Sequence, residues 1–433
     1  MFRRVNRRRS GRDSAVVVVS ASFLSGAAER VLMSRVRPLL AAILLVVATT
    51  ATLAASGGVA APVEPSDDPV VGTSERSSHV LLLTEADAAS YDEPNASVTS
   101  TLESGHADLA IDLQLGEVEQ RLDAADNRSA RREILQNATD KAAERVAELR
   151  ARATAANDAY RDGEMTAAAY VRTLGAIHAE ASSLSSMLGS TSAPGTLYSY
   201  AYDNGFSEIG TRVYRLRAQL ATVEGPVRER IAAVVHGDRE QIRVHVTAGN
   251  GVMLSTIDDG RYVRETVRPD NVEDDLGGDI SDAPGIIQAQ YPWLANHSTS
   301  PSIETRGGYA FYYRANYGHG QITAYIDTTT ERVYAEHHQQ TLAQLPADAE
   351  RNDTANNATL TTSRTYAGGP LLVRMENEAG EPLDTTVSLN GTVAGDTGDD
   401  GRLWVLSPAG EYNVTTVHDG ARLEVNVTAQ PSP

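Results

Sequence analysis

From residue 100 to residue 189 the apolar positions recur every three or four residues, the period of an amphipathic helix. Ser100 and Glu103 have capping-box spacing, and Ile111, Leu115, Val118, Leu122 and Ala125 follow on one face. A second stripe runs Leu135, Thr139, Ala142, Val146, Leu149, Ala153, Ala156, Tyr160 and stops at Gly163. It predicts a helix of about 32 residues, ~48 Å long. Thr166 is a suitable N-cap for a third stripe, Tyr170, Leu174, Ile177, Ala181, Leu184 and Leu188, which Gly189 closes. The short break between the last two stripes predicts an antiparallel helical hairpin bundle over 100–190, with an alanine-rich seam suited to a stalk or spacer. His178 falls beside that seam.

One or two further helices are expected over 204–236, broken at Gly225-Pro226. The period then changes to two. Gln241 to Thr247, Val252 to Ile257 and Arg261 to Val267 alternate around Gly249-Asn250-Gly251 and Asp258-Asp259-Gly260, which predicts a three-stranded meander. An amphipathic helix, Ile286 to Trp293, precedes strands at Tyr309 to Tyr313, Gln321 to Ile326 and Arg332 to Glu336. Together 191–345 is expected to be one α+β meander domain. Positions 346–365 carry no apolar period and are expected to be a polar linker. Five short strands between turns over 366–429 predict a C-terminal β-sandwich whose core draws on Leu403, Val405, Tyr412 and Val414. Near the start, His79 to Thr84 is the one strand-like run in an otherwise extended linker over 62–99. The fold class is therefore α+β multidomain.

The N-terminal 61 residues carry an address. Met33, Arg35 and Arg37 precede an apolar run from Leu39 to about Ala55 and the small residues Gly57 to Ala61, the layout of a secretory signal. Residues 33–61 are expected to be a signal peptide, cut after Ala60, or an uncleaved anchor, since about 17 apolar residues is short of the ~20 that span a bilayer. Met33 is then the expected start and 1–32 an untranslated upstream extension; the rival reading takes the pairs Arg3-Arg4 and Arg7-Arg8 as a twin-arginine signal or nucleic-acid arm. Asn-X-Ser/Thr occurs at Asn95, Asn127, Asn137, Asn296, Asn352, Asn357, Asn390, Asn413 and Asn426, nine of 17 asparagines. Chance predicts about three from the Ser/Thr content, so these are expected N-glycosylation sites on an exported chain.

Composition narrows the chemistry. The 433 residues include no cysteine, which removes disulfides, thiolate metal sites and cysteine nucleophiles. A net charge of -19 leaves little basic surface for phosphates, so no nucleic-acid partner is expected. Of the 38 basic residues only Lys141 is lysine, and an acidic, lysine-poor surface resembles that of halophilic archaeal proteins. No Gly-X-Ser-X-Gly, His-Glu-X-X-His or phosphate-binding loop occurs, and no catalytic or cofactor-binding residue is assigned. His337-His338 with His319 could gather imidazoles, but adjacent strand residues face opposite ways. The acidic runs Asp270, Glu273, Asp274, Asp275, Asp279, Asp282 and Asp396, Asp399, Asp400 lack EF-hand spacing. No metal site and no cofactor is expected.

Two segments carry resemblances. The helix before Ile322-Thr-Ala-Tyr-Ile-Asp327-Thr-Thr-Thr-Glu331-Arg332-Val333-Tyr334 resembles the PepSY module over 283–336, with Thr330 where that family has glycine; this implies a binding or inhibitory unit. Gly380-Glu-Pro382, Val387-Ser-Leu389-Asn390-Gly391 and Pro408-Ala-Gly410-Glu-Tyr412-Asn-Val414 resemble the carboxypeptidase-regulatory-like, transthyretin-like sandwich, which implies adhesion or presentation. The whole layout is similar to haloarchaeal secreted proteins of unknown function. The expected role is a non-enzymatic extracellular or cell-surface glycoprotein with cell-envelope or surface-layer partners, touching membrane only through its N-terminal segment. The alternative is a regulator of extracellular proteolysis, and a secreted hydrolase has no residue to support it.

Overall fold

The structure is a computed structural model that describes Leu81, Leu83 and residues 86–428, apart from 191–192, 274–279, 307–309, 348, 367 and 409. The signal region, the extension before it and most of the 79–84 strand expected from sequence lie outside the described residues. The first strand described is β1, Ala86–Asp92, inside the stretch expected to be linker. It is held by six register pairs with a strand more than 150 residues later, a contact invisible to local pattern.

Three helices follow: α1 (Val98–Asp123), α2 (Arg128–Arg161) and α3 (Ala167–Leu188). α1 starts two residues before the expected capping box. Asn127 caps α2 by accepting from the Ala130 N–H at 2.9 Å, and Thr166 caps α3 through Ala169. The predicted stripes bury Leu135, Ala142, Val146 and Leu149 against Ile177, Ala181, Leu184 and Leu188. Three shorter helices, α4 (Leu197–Asp203), α5 (Ser207–Leu220) and α6 (Pro226–His236), complete this layer. Sequence pattern missed α4, whose seven residues are too few to show a period.

The β2 (Val244–Gly249), β3 (Val252–Asp258) and β4 (Arg261–Val267) meander matches its predicted turns. After α7 (Ala283–Gln290) and α8 (Pro292–His297) come β5 (Thr299–Arg306), β6 (Ala310–Tyr317), β7 (Gly320–Asp327) and β8 (Val333–Thr341). All eight strands form one antiparallel sheet in the order β1-β2-β3-β4-β8-β7-β6-β5. The helical layer is therefore no free-standing stalk. Tyr160, Tyr170, Val171 and Leu174 share one core with Val227, Ile231 and the sheet residues Val244, Val246, Val263 and Val267. α7 and α8 cover another part of the sheet through Ile286, Tyr291 and Leu294 against Phe311, Ile322 and Ile326.

The expected linker at 346–365 is instead a hairpin of β9 (Ala349–Ala355) and β10 (Ala358–Arg364). Its outer strand is solvent-facing, and Ala358 and Leu360 are its buried apolar residues, too few to signal a strand locally. With β11 (Leu371–Asn377), β12 (Thr386–Leu389), β13 (Thr392–Asp396), β14 (Arg402–Val405), β15 (Glu411–His418) and β16 (Ala421–Thr428) it builds a sandwich of two four-stranded sheets, β14-β11-β10-β9 and β13-β12-β15-β16. Val405, Tyr412 and Val414 are buried in its core as expected, with Leu403 packed at the margin.

Candidate functional site

Three places bring polar chemistry together, and each is assembled by the sheet rather than by a contiguous motif. The first lies where the N-terminus of α6 meets the sheet. Glu265 in β4 is fully buried, and its Oε2 accepts from the N–H groups of Val227 (2.7 Å) and Arg228 (3.3 Å). A carboxylate there satisfies two helix-end donors and complements the helix dipole. The Arg228 guanidinium, equally buried, lies 3.2 Å from Glu265 Oε1 and donates to the Thr222 carbonyl. Gly225 is required at the N-cap because an added Cβ would stand 2.2 Å from Glu265 Oε2. Burial raises the Glu265 carboxyl above its ordinary range, with Arg228 opposing.

A polar cleft of about 390 Å³ opens beside this pair. His178 of α3, Glu224, Glu229, Arg314 and His337 line it. His178 accepts from the Gly225 N–H at 3.4 Å through Nδ1, and burial, then Arg228, lowers it to about 4. His337 is lowered to about 3, by burial first and then by Arg228, His338 and His178.

The second place is on the opposite sheet face. His337 and His338 do point apart: His337 pairs with Glu265 and faces the cleft, while His338 pairs with Arg264. A buried hydrogen-bonded chain runs from Tyr291 Oη to Glu336 Oε2 (2.8 Å), and from Glu336 Oε1 to His338 Nε2 (2.5 Å). It continues from His338 Nδ1 to Tyr317 Oη (3.3 Å), which accepts from Gln340 Nε2 (3.3 Å), and Gln340 Oε1 accepts from Tyr366 Oη (2.6 Å). Every member is at most 6 % exposed, so the chain is a structural lock between sheet and sandwich, closed to substrate. His319 sits in the β6–β7 turn rather than on a strand, and burial, then His338, lowers its pKa. The three histidines are not a ligand set. Among the described residues no three His, Asp or Glu side chains gather as a metal site. Asp274, Asp275 and Asp279 lie outside the described residues, Asp270 is held by Arg268 at 2.7 and 2.9 Å, and Asp396 accepts from Thr386.

The third place is a groove of about 870 Å³ between the sheet edge and the sandwich. Tyr91, Ile257, Trp404 and Leu406 give it an apolar floor next to a small core of Tyr262, Leu342, Leu345 and Tyr366. Arg243 bridges the two sides: it pairs with Glu93 at 2.7 Å and donates to the Ala394 carbonyl at 3.1 Å. Tyr91 Oη donates to the Leu406 carbonyl (2.7 Å) and Tyr262 Oη to Gly368 (3.0 Å), so the groove is a preformed gap in a pinned junction. Asn95 and Asn390 stand in its wall.

The sequon asparagines are distributed over every layer. Asn95, Asn127, Asn137, Asn296, Asn352, Asn357, Asn390 and Asn426 are exposed and Asn413 is half-buried. Asn413 pairs directly with Asn426 across β15 and β16, and its N–H donates to Asn390 Oδ1 at 2.9 Å. Three sequons therefore share one sandwich sheet, a clustering that the sequence spacing did not reveal.

Family models match three successive stretches. Residues 33–240 match a domain of unknown function (DUF7096), residues 244–346 a family of unknown function (DUF7094), and residues 349–429 an archaeal fibronectin-III type-like domain. The last of these takes in the β9–β10 hairpin, as the structure does, and describes the sandwich that the sequence compared with transthyretin-like modules. No curated protein and no solved structure matches the chain. Among the described residues no helix is long and apolar enough to cross a membrane.

Proposed function

We propose that the chain is a non-enzymatic glycoprotein of the archaeal cell surface, exported by the segment at 33–61 and acting as a binding or architectural module. The observation that carries this reading is the surface placement of the nine sequon asparagines, none of them buried, together with a C-terminal domain resembling archaeal fibronectin-III type-like modules. Such sandwiches serve as spacers and adhesion units, and the pinned junction at Arg243, Tyr91 and Tyr262 presents sheet and sandwich as one continuous surface. The acidic, lysine-poor composition fits a halophilic host, where carboxylates retain hydration in brine. Partners in this reading are envelope or surface-layer proteins.

Cell fractionation with intact-mass and glycopeptide analysis of the native protein, followed by cross-linked pull-down, tests it. Recovery in the surface fraction with occupied sequons and envelope partners is the expected result. A cytoplasmic, unmodified chain would overturn it. Recovery of a secreted protease that the full chain inhibits would replace it with the regulatory role implied by the PepSY-like stretch at 283–336.

A further inference from the structure

A sequon asparagine, Asn390, stands in the wall of the groove between sheet and sandwich. Resting on the glycoprotein reading above, we propose that the glycan attached at Asn390 folds back into this groove and covers Trp404, so that the saccharide becomes part of the junction. Asn390 occupies the first position of the Asn390-Gly391 turn between β12 and β13, with φ of 48° and 81° at the two residues, the geometry of a tight hairpin turn. Its side chain is not free to swing. Oδ1 accepts from the Asn413 N–H at 2.9 Å, and the Asn390 N–H donates to the Asn413 carbonyl at 2.9 Å. That leaves Nδ2, the atom that carries a glycan, without a hydrogen-bond partner among the described residues, at an exposed residue lining the groove.

The groove has the chemistry to hold a sugar. A pyranose presents C–H groups on one face and hydroxyls around its edge, so it needs an apolar plate bordered by donors and acceptors. Trp404 is half-buried, and Tyr91 and Ile257 extend the plate. The Glu93–Arg243 pair and the Gln241 amide border it. Val393, next to the sequon, is 54 % exposed, an apolar surface that a folded-back saccharide would cover. The volume of about 870 Å³ lies within the range of small-ligand sites, about 300–1,000 Å³.

The chain has two tryptophans, so a Trp293→Phe background isolates Trp404 fluorescence. Acrylamide quenching is then compared for protein from the glycosylating host with and without Thr392→Val, which abolishes the sequon while keeping the Asn390 hydrogen bond; Asn390→Gln is the second variant. Either change is expected to raise the quenching constant roughly twofold as the indole loses its cover, while Asn426→Gln leaves it unaltered. Glycopeptide mass separates the failures. If Asn390 carries a glycan and Thr392→Val does not alter quenching, this inference is overturned and the glycoprotein reading stands. If Asn390 is bare while other sequons are occupied, the inference again falls alone. If no sequon is occupied, both fall.

Discussion

Acid should unfold this protein through its buried neutral histidines, and His245 is the cleanest case. It lies in β2, 5 % exposed, with its ring 4.9 Å from that of Tyr91. Burial alone lowers it from 6.5 to about 4, with no charged neighbour contributing. The unfolded chain therefore takes up this proton before the folded one does. Its contribution to stability is complete above pH 6.5, is lost as pH falls toward 4, and stays lost below that. A shift of this size corresponds to roughly 3 kcal/mol, a large share of a typical domain's stability. His178 and His337, lowered to about 4 and about 3, act in the same direction. The assay is chemical denaturation at fixed molar salt between pH 7.5 and 5, for wild type and His245→Gln. Between pH 5 and 6, where ordinary carboxylates are mostly ionised in both states, each such histidine adds ~1.4 kcal/mol per pH unit to the slope of stability. Replacing His245 should remove one such increment, whatever it does to stability at neutral pH. Identical slopes in the two proteins would refute the claim that His245 is buried uncharged.

Gly225→Ala should destabilise by roughly 2 kcal/mol in thermal denaturation, because its Cβ meets the Glu265 carboxylate at the α6 N-terminus and neither can move far. Tyr366→Phe should cost about 1–2 kcal/mol by leaving Gln340 Oε1 without its donor, with the midpoint from denaturant melts as the readout. Melting temperature should rise with salt, since a Debye length of ~10 Å at 0.1 M falls to ~3 Å at 1 M and screens a net charge of -19; salt-independent melting would count against the halophilic assignment. In hydrogen exchange at low salt, α1 should lose protection before α3, because α1 leaves Leu109 and Leu113 more than half exposed while α3 buries nine residues.

Patterns with a local cause were legible in the sequence. The stripes of α2 and α3, the caps at Thr166 and Gly189, the β2–β4 meander and the Asn390-Gly391 turn rest on interactions within a few residues, so composition and spacing suffice. The same period-two argument placed His337 and His338 on opposite sheet faces. What the sequence could not show depends on partners far along the chain. β1 and the β9 edge strand carry too little apolar signal to be recognised alone and exist because β2 and β10 present open backbone donors and acceptors to them. Joining β1, the meander and the β5–β8 strands into one eight-stranded sheet, against which the helices pack, turned an expected stalk into one wall of a shared core. The Glu265–Arg228 pair, the Tyr291-to-Tyr366 chain and the groove joining Trp404 to Asn390 are all brought together by that packing. The residues themselves were visible from the start; their adjacency is decided by tertiary contact, since burial and hydrogen-bond satisfaction act through space and leave no period in the sequence.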